Sequence, residues 1–232
     1  MSRNLLLIAA RAPVPGEAKT RLGHAVGMDR AAALYRAFLA DLAGRFTTTA
    51  LLASDCDLGW AYTPGDFGFR RLLEELGGTL DPATRMVPQE GEGWGARQAG
   101  LLRWGIEHGY DCTMLVASDS PHLPVNVVLE AIAALTEHDV AIGRVRDGGY
   151  YLIGLSGNHD ILSGVPMSTA TAAADVVRRA IELGLRLAEV SETFDVDEAS
   201  DLPLLIATLA PNGAAAPRTW EALGTLGLLN SG

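Results

Sequence analysis

The sequence is short of basic residues. Its 18 Lys and Arg stand against 28 Asp and Glu, a formal net charge of −10 and a pI near 4.9. Such a surface repels a polyphosphate backbone, which argues against general DNA or RNA binding, although one local cluster of cations can still receive a small anionic ligand. Cysteine is nearly absent. Cys56 and Cys112 are the only two, and neither stands in a Cys-x-x-Cys or Cys/His spacing. Two buried free thiols in a reducing compartment are expected rather than a disulfide framework or a zinc site. Long apolar runs are also missing. The run Leu5 to Ala10 near the start ends after six residues at Arg11, too short for a signal-peptide core or a membrane span. A cytoplasmic protein with no membrane partner is expected. Three sequence signatures are absent too: Gly-x-x-x-x-Gly-Lys, Gly-x-Gly-x-x-Gly and Gly-x-Ser-x-Gly. The five histidines have no metal spacing, and none pairs with a Ser or Cys nucleophile.

The 232 residues are 48% hydrophobic and 20% charged, enough for one ordered α/β domain. Strand-length apolar runs alternate with helix-period segments. Strands are expected over 5–9, 50–53, 86–88, 113–118, 140–145, 150–155 and 185–190. Helices are expected over 28–46, 67–76, 95–108, 125–136, 172–183 and 199–209, with Gly184 as a stop signal. Alternation of this kind gives right-handed crossovers, hence a three-layer α/β/α, Rossmann-like, mainly parallel sheet. No repeat, low-complexity tract or linker divides residues 1–210. The tail over 211–232 forms no domain of its own and carries little signal.

In such sheets ligands bind beyond the carboxyl ends of the strands, so chemistry is expected just after each one. After the first comes Arg11-Ala12-Pro13-Val14-Pro15-Gly16-Glu17-Ala18-Lys19-Thr20-Arg21-Leu22. Two prolines and a glycine stiffen it, and Arg11, Lys19, Thr20 and Arg21 are donors suited to phosphate oxygens. Asp119, in Val116-Ala117-Ser118-Asp119-Ser120-Pro121, ends an apolar strand with a carboxylate. It reads as a ligand for a hard cation such as Mg²⁺ or as a turn cap. In Phe194-Asp195-Val196-Asp197 the two carboxylates share one side of an extended segment, a repulsion that a cation would relieve, while Asp197 could instead cap a helix near Ala199. Asp147-Gly148-Gly149-Tyr150 fits an ordinary hairpin turn or a close backbone approach to a ligand. Gly91, Gly95 and Arg97, at the start of a helix, fit either a flexible loop or a base or ribose contact.

Taken in order, the segment from Arg11 to Leu22, Ser118-Asp119 with Pro121, Asp147 to Leu155, Ser168-Thr169 and Asp195-Val196-Asp197 resemble the radical-SAM/selenodomain-associated glycosyltransferases. That bacterial group has the nucleotide-diphospho-sugar transferase (GT-A-like) fold. The chain is more distantly similar to 2-phospho-L-lactate guanylyltransferase and the molybdenum-cofactor guanylyltransferases. The likeness spans about residues 5–205. It implies that Asp119, Asp195 and Asp197 hold Mg²⁺ (or Mn²⁺). It also implies that Lys19 and Arg21 engage the nucleotide phosphates. Arg11, Pro13, Gly16, Thr20, Gly91, Gly95 and Arg97 are the remaining candidates for nucleotide binding. Asp147, Gly148, Gly149, Tyr150, Ser168 and Thr169 are the candidates for acceptor binding. Three positions depart from the pattern: Ser120 for a usual cysteine, His122 for an aspartate and Met167 for a tryptophan.

The leading expectation is nucleotidyl transfer from a nucleoside triphosphate to a small anionic acceptor, with Lys19, Arg21 and Asp119 as catalytic residues and pyrophosphate released. The alternative is glycosyl transfer from a nucleotide sugar, for which Asp147 is the nameable base. A third is nucleotide binding without turnover. A homodimer is allowed by the sequence but not required.

Overall fold

Alternate side chains of the first strand divide the core in two. Leu6, Ile8 and Ala10 of β1 (Asn4–Arg11) pack into one apolar cluster and Leu5, Leu7 and Ala9 into another, and Leu5 to Ile8 are fully buried. A strand covered on both faces must be apolar throughout, the pattern seen in this segment. The computed structural model describes residues 3–51, 54–77 and 80–229.

After β1 come α1 (Thr20–Val26), α2 (Met28–Arg45), α3 (Thr48–Leu51), β2 (Cys56–Thr63), α4 (Phe69–Glu75) and β3 (Arg85–Pro88). The chain continues through α5 (Gly93–Glu107), β4 (Cys112–Ala117), α6 (Val125–Leu135), β5 (Val140–Val145), β6 (Tyr150–Ser156) and α7 (Ala172–Glu182). It closes with β7 (Leu187–Thr193), α8 (Leu202–Leu209) and α9 (Pro217–Thr225). Among the described residues seven strands lie in the order β3-β2-β1-β4-β6-β5-β7, and β6 alone runs antiparallel to its neighbours. Side chains of α2, α6, α8 and α9 fill the first cluster, and those of α5 and α7 fill the second. The chain builds outward from β1 through β2 to β3, then returns to place β4 on the other side of β1. That reversal opens a crevice beyond the carboxyl ends of β1 and β4. No described helix is long and apolar enough to cross a membrane.

Three segments differ from the sequence reading. Thr48–Leu51 is a helical turn instead of the start of a strand, residues 52–53 lie outside the described residues, and the second strand is β2. Asp57 and Gly59 interrupt its apolar pattern. Gly59 is needed because a Cβ there would lie 2.7 Å from Leu7 Cδ2 and 2.9 Å from Arg85 Cβ. The basic loop ends at Lys19, and α1 follows at once.

The tail also carries a helix, α9, with Leu223 fully buried in the first cluster. Ala216, at its start, has no side-chain oxygen to offer, and Asp41 of α2 caps it from a distance. Asp41 Oδ1 accepts from Arg218 N at 3.0 Å, and Oδ2 accepts from both Thr219 N and Thr219 Oγ1 at 2.7 Å. Asp41→Ala is expected to cost about 2 kcal/mol in urea unfolding, because it strips a buried cap from helix donors. Amide exchange should accelerate selectively in α9; a variant as stable as the parent would contradict this role.

Candidate functional site

Lys19 stands at the carboxyl end of the first loop with φ +50°, a left-handed conformation that turns its stem inward just before α1 begins. Its ammonium contacts Asp119 Oδ1 and lies 2.8 Å from Asp197 Oδ1 and 2.9 Å from the Val196 carbonyl. Asp119 follows β4, and Asp197 follows β7 in an extended segment whose Val196 N–H donates to the Asp119 carbonyl at 3.0 Å. The two loops and the basic segment are therefore joined at one point. Arg21 adds a second cation, with Nη2 at 2.5 Å from Asp197 Oδ2 and Nη1 at 3.2 Å from Glu198 Oε1. Burial pulls the Lys19 pKa down, but Asp119 and Asp197 outweigh it and the net shift is upward. Burial likewise pushes the Asp197 carboxyl up, and Lys19 and Arg21 hold it below its usual value.

Asp195 has a different neighbourhood. Ser120 Oγ lies 2.8 Å from both Asp195 Oδ1 and the Phe194 carbonyl, one hydroxyl proton between two acceptors. Burial pushes the Asp195 pKa up to about 7, the nearby Asp119 charge adds to this, and Ser120 and Lys19 only partly offset it. Tyr35, buried on α2, accepts a hydrogen bond from Arg11 N at 3.1 Å and lies 2.7 Å from Ser118 Oγ, pinning the ends of β1 and β4. Burial and the Asp119 charge push its phenol up to about 12, so it stays neutral.

Asp119, Asp195 and Asp197 thus line one cavity, but not as a ready shell around one ion. Among the described residues no three His, Cys, Asp or Glu side chains are grouped to hold a metal. The Lys19 ammonium fills the place between Asp119 and Asp197. The donor chemistry still fits a hard cation, since the acidic groups present only carboxylate oxygens. Asp197 is also freed from the capping alternative. Glu198 caps the short 3-10 turn Ala199–Asp201, and the Asp201 carboxylate accepts from Asp197 N at 2.8 Å and Glu198 N at 2.7 Å.

Two cavities meet across this cluster and share Arg21, Trp94, Asp119 and Asp197 in their walls. The first, about 540 Å³, is lined by the predicted Arg11, Lys19, Thr20, Arg21 and Arg97. The second, about 700 Å³, is lined by the predicted Asp147, Gly149, Tyr150, Ser168 and Thr169. Among the described residues four cations face three carboxylates in the first, whereas Arg21 alone faces Asp119, Asp147, Asp195 and Asp197 in the second. Pro13, Gly16, Gly91 and Gly95 lie outside both walls and shape loops instead. Gly16 turns at φ +80°, the Gly91 carbonyl accepts from Arg97 Nε at 3.1 Å, and Gly95 backs onto Met167. Gly148 also stays behind the wall, where its backbone packs against the Ala170 carbonyl.

Sequence reasoning missed Tyr35, Trp94 and Gln98. Trp94 was visible beside three glycines. Gln98, fully buried on α5, has Nε2 at 3.9 Å from Met167 Sδ, and the Tyr150 hydroxyl donates to the same sulfur at 3.4 Å.

His122 lies outside both cavities. It stacks on Phe194 at 4.2 Å between ring centroids, with Nε2 3.0 Å from Thr193 Oγ1. Burial, then the Arg45 charge, pull its pKa down to about 4. The folded chain keeps this imidazole neutral while the unfolded chain protonates it below pH 6.5, so stability is lost as pH falls from about 6.5 towards 4. Urea titrations should show a loss on the order of 2 kcal/mol in that window that His122→Gln removes. An equal loss in the variant would assign the acid sensitivity elsewhere.

The family model described as "Uncharacterized protein conserved in bacteria (DUF2064)" matches residues 31–169. Among curated proteins none matches. Among solved structures, a protein from Desulfovibrio desulfuricans G20 provisionally named a nucleotide-diphospho-sugar transferase is 31% identical, with 97% of each chain covered and a TM-score of 0.82. A 4-diphosphocytidyl-2C-methyl-D-erythritol synthase is 13% identical, covering 88% of this chain and 97% of its own, with a TM-score of 0.54. A cytidylyltransferase from Leptospira borgpetersenii serovar Hardjo-bovis is 9% identical, covering 99% and 97%, with a TM-score of 0.55. The fold is therefore that of the nucleotide-diphospho-sugar transferases.

Proposed function

The chain belongs to the bacterial family of uncharacterized proteins DUF2064, and we propose that it is a nucleotidyltransferase. One observation carries the reading: the two cavities meet at a shared carboxylate cluster but differ in charge, cation-rich on one side and acidic on the other. A triphosphate belongs in the first, against Arg11, Arg21, Arg97 and Lys19. Guanidinium forks pair with phosphate oxygens and neutralise a departing pyrophosphate. The acceptor belongs in the second, which Trp94 and Tyr150 help to line. Among the described residues Arg21 is its only lining cation, so it suits a small acceptor with a single anionic attacking oxygen.

In the reaction the acceptor oxygen attacks the α-phosphorus, a new P–O bond forms, and the bond to the β-phosphate breaks to release pyrophosphate. Arg21 spans both cavities and stabilises charge on entering and leaving groups. Asp119, Asp195 and Asp197 would hold Mg²⁺, which supplies charge neutralisation at the reacting phosphate. The name of the Leptospira cytidylyltransferase, whose fold this chain shares, supports this reading. The acidic second cavity also gives grounds for the alternative: a nucleotide sugar whose hydroxyls donate to carboxylates, with Asp147 as base.

The test combines two measurements. Nucleoside triphosphates and nucleotide sugars are first screened for a rise in Tm with and without Mg²⁺, since a ligand of the native state raises Tm. The products formed from the ligand that binds are then analysed. Pyrophosphate supports nucleotidyl transfer, a nucleoside diphosphate supports glycosyl transfer, and binding without turnover supports neither.

A further inference from the structure

Lys19 is the only lysine among the 18 Lys and Arg residues of the chain. An ammonium has three N–H donors, and Asp119, Asp197 and the Val196 carbonyl take all three. The side chain is 5% exposed, and the rings of Tyr35 and Phe38 lie 5.7 and 5.9 Å from Nζ. As placed, Lys19 has nothing left to offer a phosphate, although it lines the cavity where one would bind. The same contacts occupy Asp119 Oδ1 and Asp197 Oδ1, the oxygens that face a position between the two carboxylates. A compact, strongly hydrated point charge on a flexible stem can leave such a position and return, which a planar guanidinium fork does less readily.

We propose that Lys19 is a resident cation that shares one position with the divalent metal. With no ligand bound, it holds the two carboxylates together against their mutual repulsion. A metal ion entering between Asp119 and Asp197 replaces it, and the released ammonium turns into the first cavity to meet the triphosphate. By linkage, each ligand then favours the other: the metal frees the phosphate donor, and the phosphate holds Lys19 away from the metal position. The exchange rests on the triphosphate reading above and goes beyond it, because it makes metal and triphosphate binding cooperative and metal binding alone weak.

A single lysine makes the exchange directly observable. The full-length chain is acetylated with an amine-selective reagent, and Lys19 labelling is followed by peptide mass mapping. Labelling should be slow in the ligand-free chain, faster with Mg²⁺ alone, and slow again with Mg²⁺ plus inorganic tripolyphosphate. In parallel, Mn²⁺ titrations followed by the electron-spin signal of the free ion should show Lys19→Met binding about tenfold more tightly than the parent, within the usual range of coupling between sites. Labelling indifferent to Mg²⁺, or a variant that binds Mn²⁺ no more tightly, overturns the exchange. Absence of Mn²⁺ binding in both proteins overturns it too. If Lys19→Met does not fold, the labelling of the parent chain decides alone. Failure of the nucleotidyl reading has a different signature, since no triphosphate would then raise Tm in either protein.

Discussion

Replacing Asp197 with alanine is expected to reduce transfer about a hundredfold and to destabilise the ligand-free chain by about 3 kcal/mol. Both of its carboxylate oxygens are engaged, Oδ1 by Lys19 and Oδ2 by Arg21. Without it, a buried ammonium keeps Asp119 as its only carboxylate, and Arg21 keeps only the exposed Glu198. Breaking one side of a buried pair costs more than the pair itself contributes, because a desolvated charge is left behind. The pH dependence carries a second signature. The Asp197 carboxyl titrates below its ordinary value in the folded chain, so its contribution is present above the unfolded-state pKa and fades as pH falls through the folded one. The stability gap between parent and variant should therefore close in acid. A gap that persists unchanged in acid would mean that the loss is packing, not charge.

Gly148→Ala is expected to damage the second cavity severely. Gly148 turns at φ +91°, and a Cβ there would collide with the Ala170 carbonyl, which is backbone and has no rotamer to yield. The same glycine accepts a hydrogen bond from Ala173 N at 3.1 Å, at the start of α7. Left-handed strain alone costs about 1 kcal/mol, and the forced shift of the segment from Met167 to Ala172 brings the total to about 3 kcal/mol or more. Met167, Ser168, Thr169 and Ala170 all line the second cavity. KM for the acceptor should rise well beyond any change in triphosphate affinity, which depends on the other cavity. Equal losses on both sides would show that the hairpin supports the whole site instead of one half of it.

These two residues show how far the sequence could be read. The order of strands and helices was legible because doubly covered strands are continuous apolar runs and the helices keep their period. The hairpin of β5 and β6 was legible from Asp147-Gly148-Gly149, although that turn also buttresses the Ala170 segment. The second strand was misplaced because Asp57 and Gly59 interrupt its pattern, and what makes Gly59 necessary is the neighbouring strand. Helix α9 was invisible because its cap, Asp41, lies far away in sequence. The meeting of Asp119, Asp195 and Asp197 was implied by the family resemblance, and only Asp119 was placed by the end of a strand. The position of the Lys19 ammonium between two of them could not be inferred, because it depends on one left-handed residue and on rings from α2. Trp94 and Gln98 were missed for a similar reason: their part in the site comes from the packing of α5 against the Met167 segment.

The most direct test of the two-cavity account is a crystal structure of the chain with Mg²⁺ and a non-hydrolysable nucleoside triphosphate. The account predicts the triphosphate between Arg11, Arg21 and Arg97, with its α-phosphorus facing the second cavity beside Asp119. A triphosphate bound elsewhere, or one whose α-phosphorus faces away from Tyr150 and Asp147, would contradict it.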